Sequence, residues 1–323
     1  MFCKLTKESK IKRILVVSLT NIGDVVLTCP VIDILRRDFP QAQMDVVVGP
    51  KAVTLFEGNP NLNIKVFDKK ASFKNRIFWF FNLVKNRYDC VIDLRRTGLT
   101  LFLWAKYSTP LLGSKLLIGH KKEGHLNRLC QVYDFGSISN KLYAIVTAKE
   151  DELFFEKEIA SGLNGRNFIV IAPGAADSAK RWLAVGFAAV ADQLSKDYQV
   201  VFVGDSNDND IISEIQHQMK NSALSLAGKI NLRQLACVLK KSSWALTHDS
   251  GVMHLASYLN VPLIALWGPT DLDSYAPWVK KSVVIRRNEK CVRCLDPKAT
   301  VAHNCMSDIK VEDVMDAVKK IKQ

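Results

Sequence analysis

The sequence runs through the same strand–turn–helix pattern twice, once from residue 13 and again from residue 168. Residues 13–18 form a short apolar run rich in β-branched side chains, which is typical of a buried parallel strand. Residues 25–39 follow with apolar side chains at helical spacing, and residues 168–172 and 184–195 repeat this order. Strands that alternate with helices form parallel, doubly wound sheets. We therefore predict an α/β fold with two Rossmann-like lobes.

The other predicted elements complete these lobes. The first lobe, residues 1–165, adds strands at residues 44–48, 64–67 and 88–94 and helices at residues 73–87, 97–107 and 150–162. The second lobe, residues 166–323, adds strands at residues 199–203, 244–247 and 262–267 and helices at residues 210–220, 232–240, 252–259 and 308–322. Ligands bind at the carboxyl ends of the strands in open parallel sheets, so we expect the binding site in a cleft between the lobes.

Charge is distributed very unevenly along the chain. Residues 1–149 hold 24 Lys and Arg against 11 Asp and Glu, whereas residues 150–323 hold 21 of each class. A one-sided excess of this kind indicates that the first half contacts something anionic. Nucleic acid, an anionic membrane surface and a phosphorylated acceptor all fit that description.

Targeting and cysteine patterns favour a cytoplasmic protein. The charged N-terminal residues lead into a predicted strand and a polar turn, without a secretory cleavage pattern. The longest apolar run, residues 77–84, is far shorter than the roughly 18–20 residues that span a bilayer. The eight cysteines are mostly scattered, as is typical of reduced core thiols.

A tight turn joins the strand at residues 244–247 to the next helix. The turn contains Asp249, Ser250 and Gly251, and His254 follows one helical turn later. The first N–H groups of a helix are unpaired and its dipole is positive there, so this corner suits a phosphate group. Helix capping by Asp249 or Ser250 is the simpler alternative.

Two more strand-end loops carry candidate site residues. In the second lobe, Gly174 follows a strand, and Lys180 and Arg181 lie where two cations could neutralise a leaving diphosphate, although such a pair is usually a solvated surface feature. In the first lobe, Gly23 permits a close backbone approach, and Asp24 lies at a helix start. Asp24 is predicted either to support that helix end or to act as a general base.

Several familiar signatures are missing or weak. The sequence has neither the glycine pattern of dinucleotide-binding enzymes nor a P-loop. Two Asp-x-Asp triplets, at residues 208–210 and 271–273, lie near helix starts, so we interpret them as caps or solvated residues, not metal ligands. One group has the ligand types of a zinc site, with chance or packing as the alternative: Cys291, Cys294, His303 and Cys305.

Taken together, four segments resemble glycosyltransferase family 9, the lipopolysaccharide heptosyltransferase family. These segments are residues 14–40, 172–182, 226–239 and 248–278, in the family's order, and the last is the nearest match. The C-terminal Cys-x2-Cys stretch also occurs in many members. The resemblance spans nearly the whole chain, and its motifs are specific only in combination.

The resemblance implies a GT-B architecture and metal-independent, inverting transfer of a sugar. The second lobe would bind an ADP-sugar, usually ADP-heptose, and the first a lipid-linked acceptor of the lipopolysaccharide core. Asp24 matches the family's general base and Lys180 the lysine at the donor phosphates. The remaining donor-side candidates are Gly174, Arg181, Asp205, Asp249, Ser250, Gly251 and His254. No metal and no cofactor beyond the donor substrate is implied.

One departure concerns the donor. Many members carry Ser or Thr where this chain has Ala175 and Ala176, which removes a hydroxyl contact to phosphate. Backbone N–H groups could replace that contact, or the change could mark a different donor.

The basic first lobe supplies candidate acceptor contacts. They are Asn21, Gly23, Arg95 and Arg96, with Lys69, Lys70, Lys121 and Lys122 as further cations that could meet phosphates or acidic sugars. Residues 73–87 combine Phe78, Trp79, Phe80 and Phe81 with Lys74, Arg76, Lys85 and Arg87, which suits a helix at an anionic membrane interface. The alternative is an ordinary sheet-covering helix with its aromatics in the core. We predict a peripheral location at the inner face of the cytoplasmic membrane.

Three other functions remain as alternatives at this point. A GT-B enzyme with another donor, such as a UDP-linked hexosamine, has the same motifs. A basic nucleic-acid-binding module explains the charge, but the sequence has no helix-turn-helix, zinc-finger or RNA-binding aromatic motif, so we expect no nucleic-acid partner. A catalytically silent family member is disfavoured because Asp24, Lys180 and Asp249 are all present.

Overall fold

Two parallel sheets form the framework of the chain, one in each half. The computed structural model describes residues 4–111, 119–138, 141–287 and 305–323. The chain divides into two compact units, Met1–Ala148 and Lys149–Gln323, which we call the first and second unit.

The first unit is built on a five-stranded parallel sheet with strand order β3-β2-β1-β4-β5. Its elements are β1 (Arg13–Val17), α1 (Ile22–Asp38), β2 (Gln43–Val48), β3 (Asn63–Val66), α2 (Phe73–Val84), β4 (Cys90–Asp93), β5 (Tyr107–Ser108) and α3 (Lys121–Cys130), with short 3₁₀ turns at Pro50–Leu55 and Leu99–Leu101. Four of the five β1 residues are buried, as expected for a parallel strand covered on both faces.

The second unit is built on a six-stranded parallel sheet with strand order β11-β10-β9-β6-β7-β8. Its elements are α4 (Lys149–Phe154), β6 (Phe168–Ala172), α5 (Ala184–Leu194), β7 (Gln199–Phe202), α6 (Asn209–Gln218), β8 (Leu224–Ser225), α7 (Leu232–Lys241), β9 (Ala245–His248), α8 (Gly251–Tyr258), β10 (Leu263–Trp267), α9 (Leu272–Tyr275), β11 (Ser282–Arg286) and α10 (Val311–Lys322). Short 3₁₀ turns occur at Ser178–Lys180 and Ser206–Asp208.

The helical segment that begins with α4 belongs to the second unit. Asp151 of α4 is buried and pairs with Arg233 of α7 at 2.8 Å, and Lys241 of α7 pairs with Glu152 at 2.8 Å. The structural division therefore falls at residues 148 and 149, whereas the sequence places the boundary at residues 165 and 166. The range predicted as a helix, residues 150–162, is helical throughout, but only α4 is an α-helix: a π-helical segment follows at Phe155–Ile159 and a 3₁₀ turn at Ala160–Leu163.

The predicted helix at residues 97–107 is wrong. Gly98 has a φ of +79°, and two non-glycine residues nearby are also left-handed, Arg96 at +57° and Trp104 at +43°. The Asp93 carboxylate accepts backbone N–H bonds from Arg95 and Thr97, which turns the chain instead of extending it. Apolar spacing alone indicated a helix, and this side-chain-to-backbone competition overrode it.

The remaining differences are small. The closing helix α10 begins at Val311, three residues later than predicted at 308, because the carbonyl of Ile309 accepts the indole N–H of Trp182 at 2.9 Å. Helices α3 and α9, the five-residue strand β11 and the two-residue strands β5 and β8 were not predicted from the sequence. Strands of two residues carry too little periodicity to be read from sequence.

Candidate active site

Most candidate site residues follow four strands that lie at the two switch points of the sheets, and Asp205 alone of the predicted set follows β7. In the first sheet the chain order reverses between β1 and β4, and in the second between β6 and β9. A crevice opens at the carboxyl ends of the strands at such a point, and ligands of open α/β sheets bind there. Asn21, Gly23 and Asp24 follow β1, and Arg95 and Arg96 follow β4.

In the second unit, one ion pair joins the loop after β6 to the turn after β9. The Nζ of Lys180 lies 2.6 Å from Oδ2 of Asp249. The Asp249 side chain is 7% exposed and the Lys180 side chain 27% exposed. Lys180 thus gives one of its three N–H donors to Asp249 and keeps two for a ligand. The sequence predicted both residues but not their pairing.

His254 lies near the other oxygen of the same carboxylate. Its Nε2 lies 3.8 Å from Oδ1 of Asp249. The imidazole is buried and stacks on Trp278, with ring centroids 5.8 Å apart and an interplanar angle of 24°. Asp249 therefore sits between a lysine and a histidine, in a fixed orientation at the start of α8.

The helix-capping alternative for Ser250 is wrong. Ser250 is the N-cap residue of α8 by position, yet within the described chain its side chain makes no capping bond. Its Oγ is buried, and among the described residues it has no hydrogen-bond partner. Buried hydroxyls are normally paired, so the missing partner of this one is unusual, and the N–H groups at the start of α8 favour an anionic group beside it.

The loop after β6 is closely packed around Gly174. A Cβ at this position would collide with the carboxylate of Asp208, so a larger residue here would displace that side chain. Burial raises the pKa of Asp208 above its usual value. Arg181 donates from Nε to the carbonyl of Ala175 at 2.9 Å and so braces this loop.

Asp205 and Asp208 cap the short helical turn after β7. The Asp205 carboxylate accepts the N–H of Asn207 at 2.8 Å, and the Asp208 carboxylate accepts the N–H of Asp205 at 3.0 Å. Asp271 caps α9 in the same way through Asp273. The capping interpretation of both Asp-x-Asp triplets is therefore confirmed. The Asp205 carboxylate already accepts the N–H of Asn207, so a nucleoside that contacts Asp205 would share this carboxylate with that bond.

Sequence reasoning missed His248, the last residue of β9. It is fully buried, and its Nε2 accepts the backbone N–H of Trp182 at 2.9 Å, which ties β9 to the loop that carries Lys180. Burial lowers the pKa of His248 to about 4. Its position at the end of an apolar strand is the sequence feature that could have identified His248 as a buried residue of this site.

The burial of His248 makes stability depend on pH. Between a folded pKa of about 4 and an unfolded value of about 6.5, the unfolded state binds a proton that the folded state excludes. The stabilisation is therefore complete above about pH 6.5 and is lost as the pH falls toward 4, by at most about 3 kcal/mol for this group.

Denaturant unfolding across this pH range measures the effect. We expect His248→Gln, which keeps an acceptor for the Trp182 N–H, to flatten the decline in unfolding free energy. His217→Gln, at an exposed position of the same unit, is the control. Parallel pH profiles for wild type and His248→Gln would contradict this explanation.

In the first unit, Asp24 lies in the first turn of α1. Asn21 is the N-cap residue by position, and its Nδ2 donates to Oδ2 of Asp24 at 3.0 Å. Asp24 does not cap the helix in the described structure; its half-buried carboxylate faces the helix start, where the dipole favours an anion. It forms no ion pair within residues 4–111, 119–138 and 141–148, which suits a proton acceptor.

Arg95 and Arg96 lie in the loop that Asp93 organises, next to a cation that was not predicted. Arg128 of α3 is buried, and its guanidinium donates to the carbonyls of Asp93 at 2.9 Å and Pro110 at 2.8 Å. Burial, with a smaller contribution from Arg96, lowers the pKa of Arg128. Arg128 braces the loop that carries both predicted acceptor residues.

Three of the four predicted zinc ligands lie outside the described part of the chain. Cys291, Cys294 and His303 lie outside the described residues, and Cys305 is buried. Across the described ranges, no group of three or more His, Cys, Asp or Glu side chains is placed to hold a metal ion.

The sequence matches one established family over half of its length. The sequence model of glycosyltransferase family 9 (heptosyltransferase) matches residues 138–303. The chain belongs to this family. It is thus a glycosyltransferase, and the predicted fold class, GT-B with two Rossmann-like doubly wound units, is confirmed.

Known relatives cover most of this family 9 chain. Lipopolysaccharide heptosyltransferase 3 of Escherichia coli is 27% identical over 287 residues, which is 79% of this chain and 83% of that protein. The crystal structure of a family 9 glycosyltransferase from Veillonella parvula is 27% identical, with 96% of this chain and 97% of that chain covered and a TM-score of 0.79. The structure of E. coli ADP-heptose lps heptosyltransferase II is 24% identical, with 96% and 98% covered and a TM-score of 0.75, and shares the fold.

Proposed function

We propose that this enzyme transfers a heptose from ADP-heptose to an acceptor of the lipopolysaccharide core, with inversion at the anomeric carbon. Membership of glycosyltransferase family 9 (heptosyltransferase) carries this proposal. The names of the relatives support the details: one is a lipopolysaccharide heptosyltransferase, and another is called an ADP-heptose lps heptosyltransferase.

The second unit is the proposed donor side. A diphosphate requires hydrogen-bond donors. The proposed donors are Lys180, the first N–H groups of α8 and the Oγ of Ser250, which has no partner in the described part of the chain. Asp249 fixes Lys180 through the 2.6 Å contact, so the cation is oriented before the nucleotide arrives. Preorganised donors stabilise the charge that develops on a leaving diphosphate without reorganising during the reaction.

Asp24 of the first unit is the proposed general base. Its carboxylate takes the proton of an acceptor hydroxyl as that oxygen bonds to the anomeric carbon. The bond from the anomeric carbon to the β-phosphate oxygen of ADP breaks at the same time, and ADP leaves with both bonding electrons. Attack from the side opposite the leaving group inverts the anomeric centre.

Lys180, Ser250 and α8 would neutralise the leaving ADP without a divalent ion, so we propose that the transfer is metal-independent. Turnover in excess EDTA measures this directly. Unchanged turnover is the expected result, and a loss that Mg²⁺ or Mn²⁺ restores would overturn the proposal.

The Ser250 hydroxyl provides a selective test of the donor site. Because its Oγ has no partner among the described residues, Ser250→Ala is expected to change stability by less than about 0.5 kcal/mol. Loss of a hydrogen bond to a charged phosphate should weaken ADP binding roughly tenfold. Calorimetric titration with ADP measures this change.

Ser257→Ala is the matched control, since that hydroxyl lies in the same helix and is also buried without a partner in the described chain. Equal ADP affinities for wild type and both variants would remove Ser250 from the donor site.

A comparison of nucleotides tests the donor class. Ala175 and Ala176 stand where many family members carry a hydroxyl, which leaves a UDP-sugar as the competing donor. We expect ADP to bind at least about tenfold more tightly than UDP or GDP, because a site built for one base leaves polar groups unpaired with another. If UDP binds more tightly than ADP, the donor is a UDP-sugar and the proposal of ADP-heptose is wrong.

We also propose that the enzyme works in the cytoplasm, at the inner face of the membrane that holds its acceptor. Within the described residues, no helix is both long enough and apolar enough to cross a bilayer.

A further inference from the structure

Helix α2 presents aromatic side chains to solvent. Phe73 is 69% exposed, Phe78 68% and Phe81 57%, whereas Leu83 is the one buried residue of this helix. Phe73, Ile77 and Phe81 are four residues apart and therefore form one stripe along the helix. The alternative that these aromatics belong to the core is wrong for Phe73, Phe78 and Phe81.

The opposite side of α2 accounts for its attachment to the first unit. Trp79 packs on Phe67 after β3 with ring centroids 4.9 Å apart. Leu83 joins a core cluster with Leu15 and Val91 of the sheet. The helix is anchored without its outer stripe, so folding does not explain why that stripe is aromatic.

A second segment extends the same surface. Leu101 is 60% exposed, Phe102 59% and Trp104 90%. Phe80 joins the two segments, because its ring lies 5.7 Å from that of Phe102 and 5.8 Å from that of Phe81. We call the surface formed by Phe73, Ile77, Phe78, Phe81, Leu101, Phe102 and Trp104 the aromatic face. Trp104 is held in the left-handed region at a φ of +43°, an unusual conformation for a bulky residue.

The aromatic face contains an open apolar hollow. Its volume is about 500 Å³, and it is lined by Phe67, Phe73, Arg76, Ile77, Phe80 and Phe81. Exposed apolar surface of this extent on a water-soluble domain marks an interaction site. Five of the six lining side chains are hydrocarbon, which suits fatty-acyl chains better than a polar ligand.

Cations are frequent in the chain segment that carries the aromatic face, and Arg76 lines its hollow. Residues 65–106 hold ten Lys and Arg against three Asp. Lys74, Arg76, Lys85 and Arg87 are exposed and form no ion pair within the part of the chain that the structure describes. Basic side chains among the aromatic ones match the charge of an anionic lipid surface and repel a second copy of the same face.

We propose that the aromatic face docks this enzyme onto an anionic phospholipid bilayer. Trp104 and the phenylalanines of α2 enter the interfacial region, where amphipathic aromatics concentrate, and the basic side chains of the same segment contact the lipid headgroups. This inference rests on the proposed function in one respect, because a lipid-linked acceptor lies in such a bilayer. The surface itself is defined by α2 and residues 101–104 alone.

Vesicle co-sedimentation of the full chain tests the docking surface without donor or acceptor. Vesicles of phosphatidylethanolamine with about 30% phosphatidylglycerol should bind the wild type, and added salt should weaken binding. The triple variant Phe78→Ser, Phe81→Ser, Trp104→Ser should lose binding at least about tenfold. Leu183→Ser with Val185→Ser, at exposed apolar positions of the second unit, is the matched control and should bind like wild type.

Tryptophan fluorescence adds a readout that does not depend on the triple variant folding. Trp104 is far more exposed than the buried Trp182, Trp244 and Trp267. Brominated lipid should therefore quench part of the wild-type emission, and Trp104→Phe should lose most of that quenching while it retains vesicle binding, with half-buried Trp79 of α2 supplying the remainder. Equal quenching in wild type and Trp104→Phe would overturn the placement of Trp104 in the interface.

The outcomes separate the docking surface from the enzymatic proposal. Turnover of a water-soluble, deacylated acceptor should be the same in the triple variant and the wild type. Two results would overturn the docking proposal. One is vesicle binding that is unchanged in the triple variant. The other is a wild type that does not bind vesicles but forms an oligomer, which the triple variant no longer forms. Normal docking by an enzyme that turns over no core acceptor would overturn the proposed function and leave the aromatic face intact.

Discussion

Replacing Asp24 with asparagine is expected to lower kcat by about 10²–10⁴-fold, the usual contribution of a general base. The amide keeps the size of the side chain but cannot accept the proton of an acceptor hydroxyl. Asp24 lies in the first turn of α1, where Asn21 holds one of its oxygens at 3.0 Å. ADP affinity should hardly change, since the proposed nucleotide contacts lie in the second unit.

Steady-state rates and ADP titrations on the same preparations separate these two effects. Asp134→Asn, at an exposed acidic residue of the first unit, is the matched control and should turn over like wild type. A rate for Asp24→Asn within about threefold of wild type would exclude Asp24 as the base. A rate loss accompanied by an equal loss of ADP affinity would assign it a binding role instead.

Replacing Lys180 with methionine is expected to weaken ADP binding about 10–100-fold and to lower kcat by about 10²–10³-fold. The lysine interacts with the bound diphosphate and more strongly with the leaving one, so both quantities should fall. The loss has a second cause, because the Asp249 carboxylate, 7% exposed, remains without its cation beside the phosphates.

A double variant separates the two causes. Lys180→Met with Asp249→Asn removes the uncompensated carboxylate, so ADP binding should partly recover while kcat stays low. Lys180→Arg keeps the charge and should retain more of both quantities than the methionine variant. Thermal unfolding shows which variants are folded. Wild-type ADP affinity in Lys180→Met would contradict the donor-site assignment.

The fold was largely predictable because its strands are buried on both faces. The strand at residues 168–172 has the predicted bounds, and the strand predicted at 199–203 is Gln199–Phe202. Buried parallel strands are short, nearly continuous apolar runs, which are easy to recognise between polar turns. The helix predicted at residues 97–107 is wrong because the Asp93 carboxylate accepts the backbone N–H groups of Arg95 and Thr97 and turns the chain, which apolar spacing does not reveal.

The sequence predicts where the candidate site residues lie but not which residues they contact. Asp24, Gly174 and Asp249 each follow a predicted strand, and the structure places these strand ends at the switch points of their sheets. The 2.6 Å pairing of Lys180 with Asp249 joins residues 69 positions apart, and no local pattern encodes it. His248 and Arg128 were missed because their roles, tying neighbouring loops together, depend on burial that only the folded chain shows.

The basic first half was compatible with nucleic acid, a membrane or a phosphorylated acceptor. Family membership makes the chain a glycosyltransferase, so the charge no longer needs nucleic acid as its explanation. We propose that part of that charge contacts a lipid surface beside the aromatic face, and Arg95 and Arg96 remain predicted contacts of the acceptor.

Turnover of ADP-heptose with a truncated lipopolysaccharide core as acceptor tests the central claim most directly. Nuclear magnetic resonance on the product identifies both the transferred sugar and its anomeric configuration. We expect ADP to be released and a heptose to be added to the core with a configuration opposite to that of the donor. Asp24→Asn should abolish this turnover or slow it strongly. Retention of configuration would contradict this prediction, and so would turnover of a UDP-sugar by an enzyme that does not use ADP-heptose.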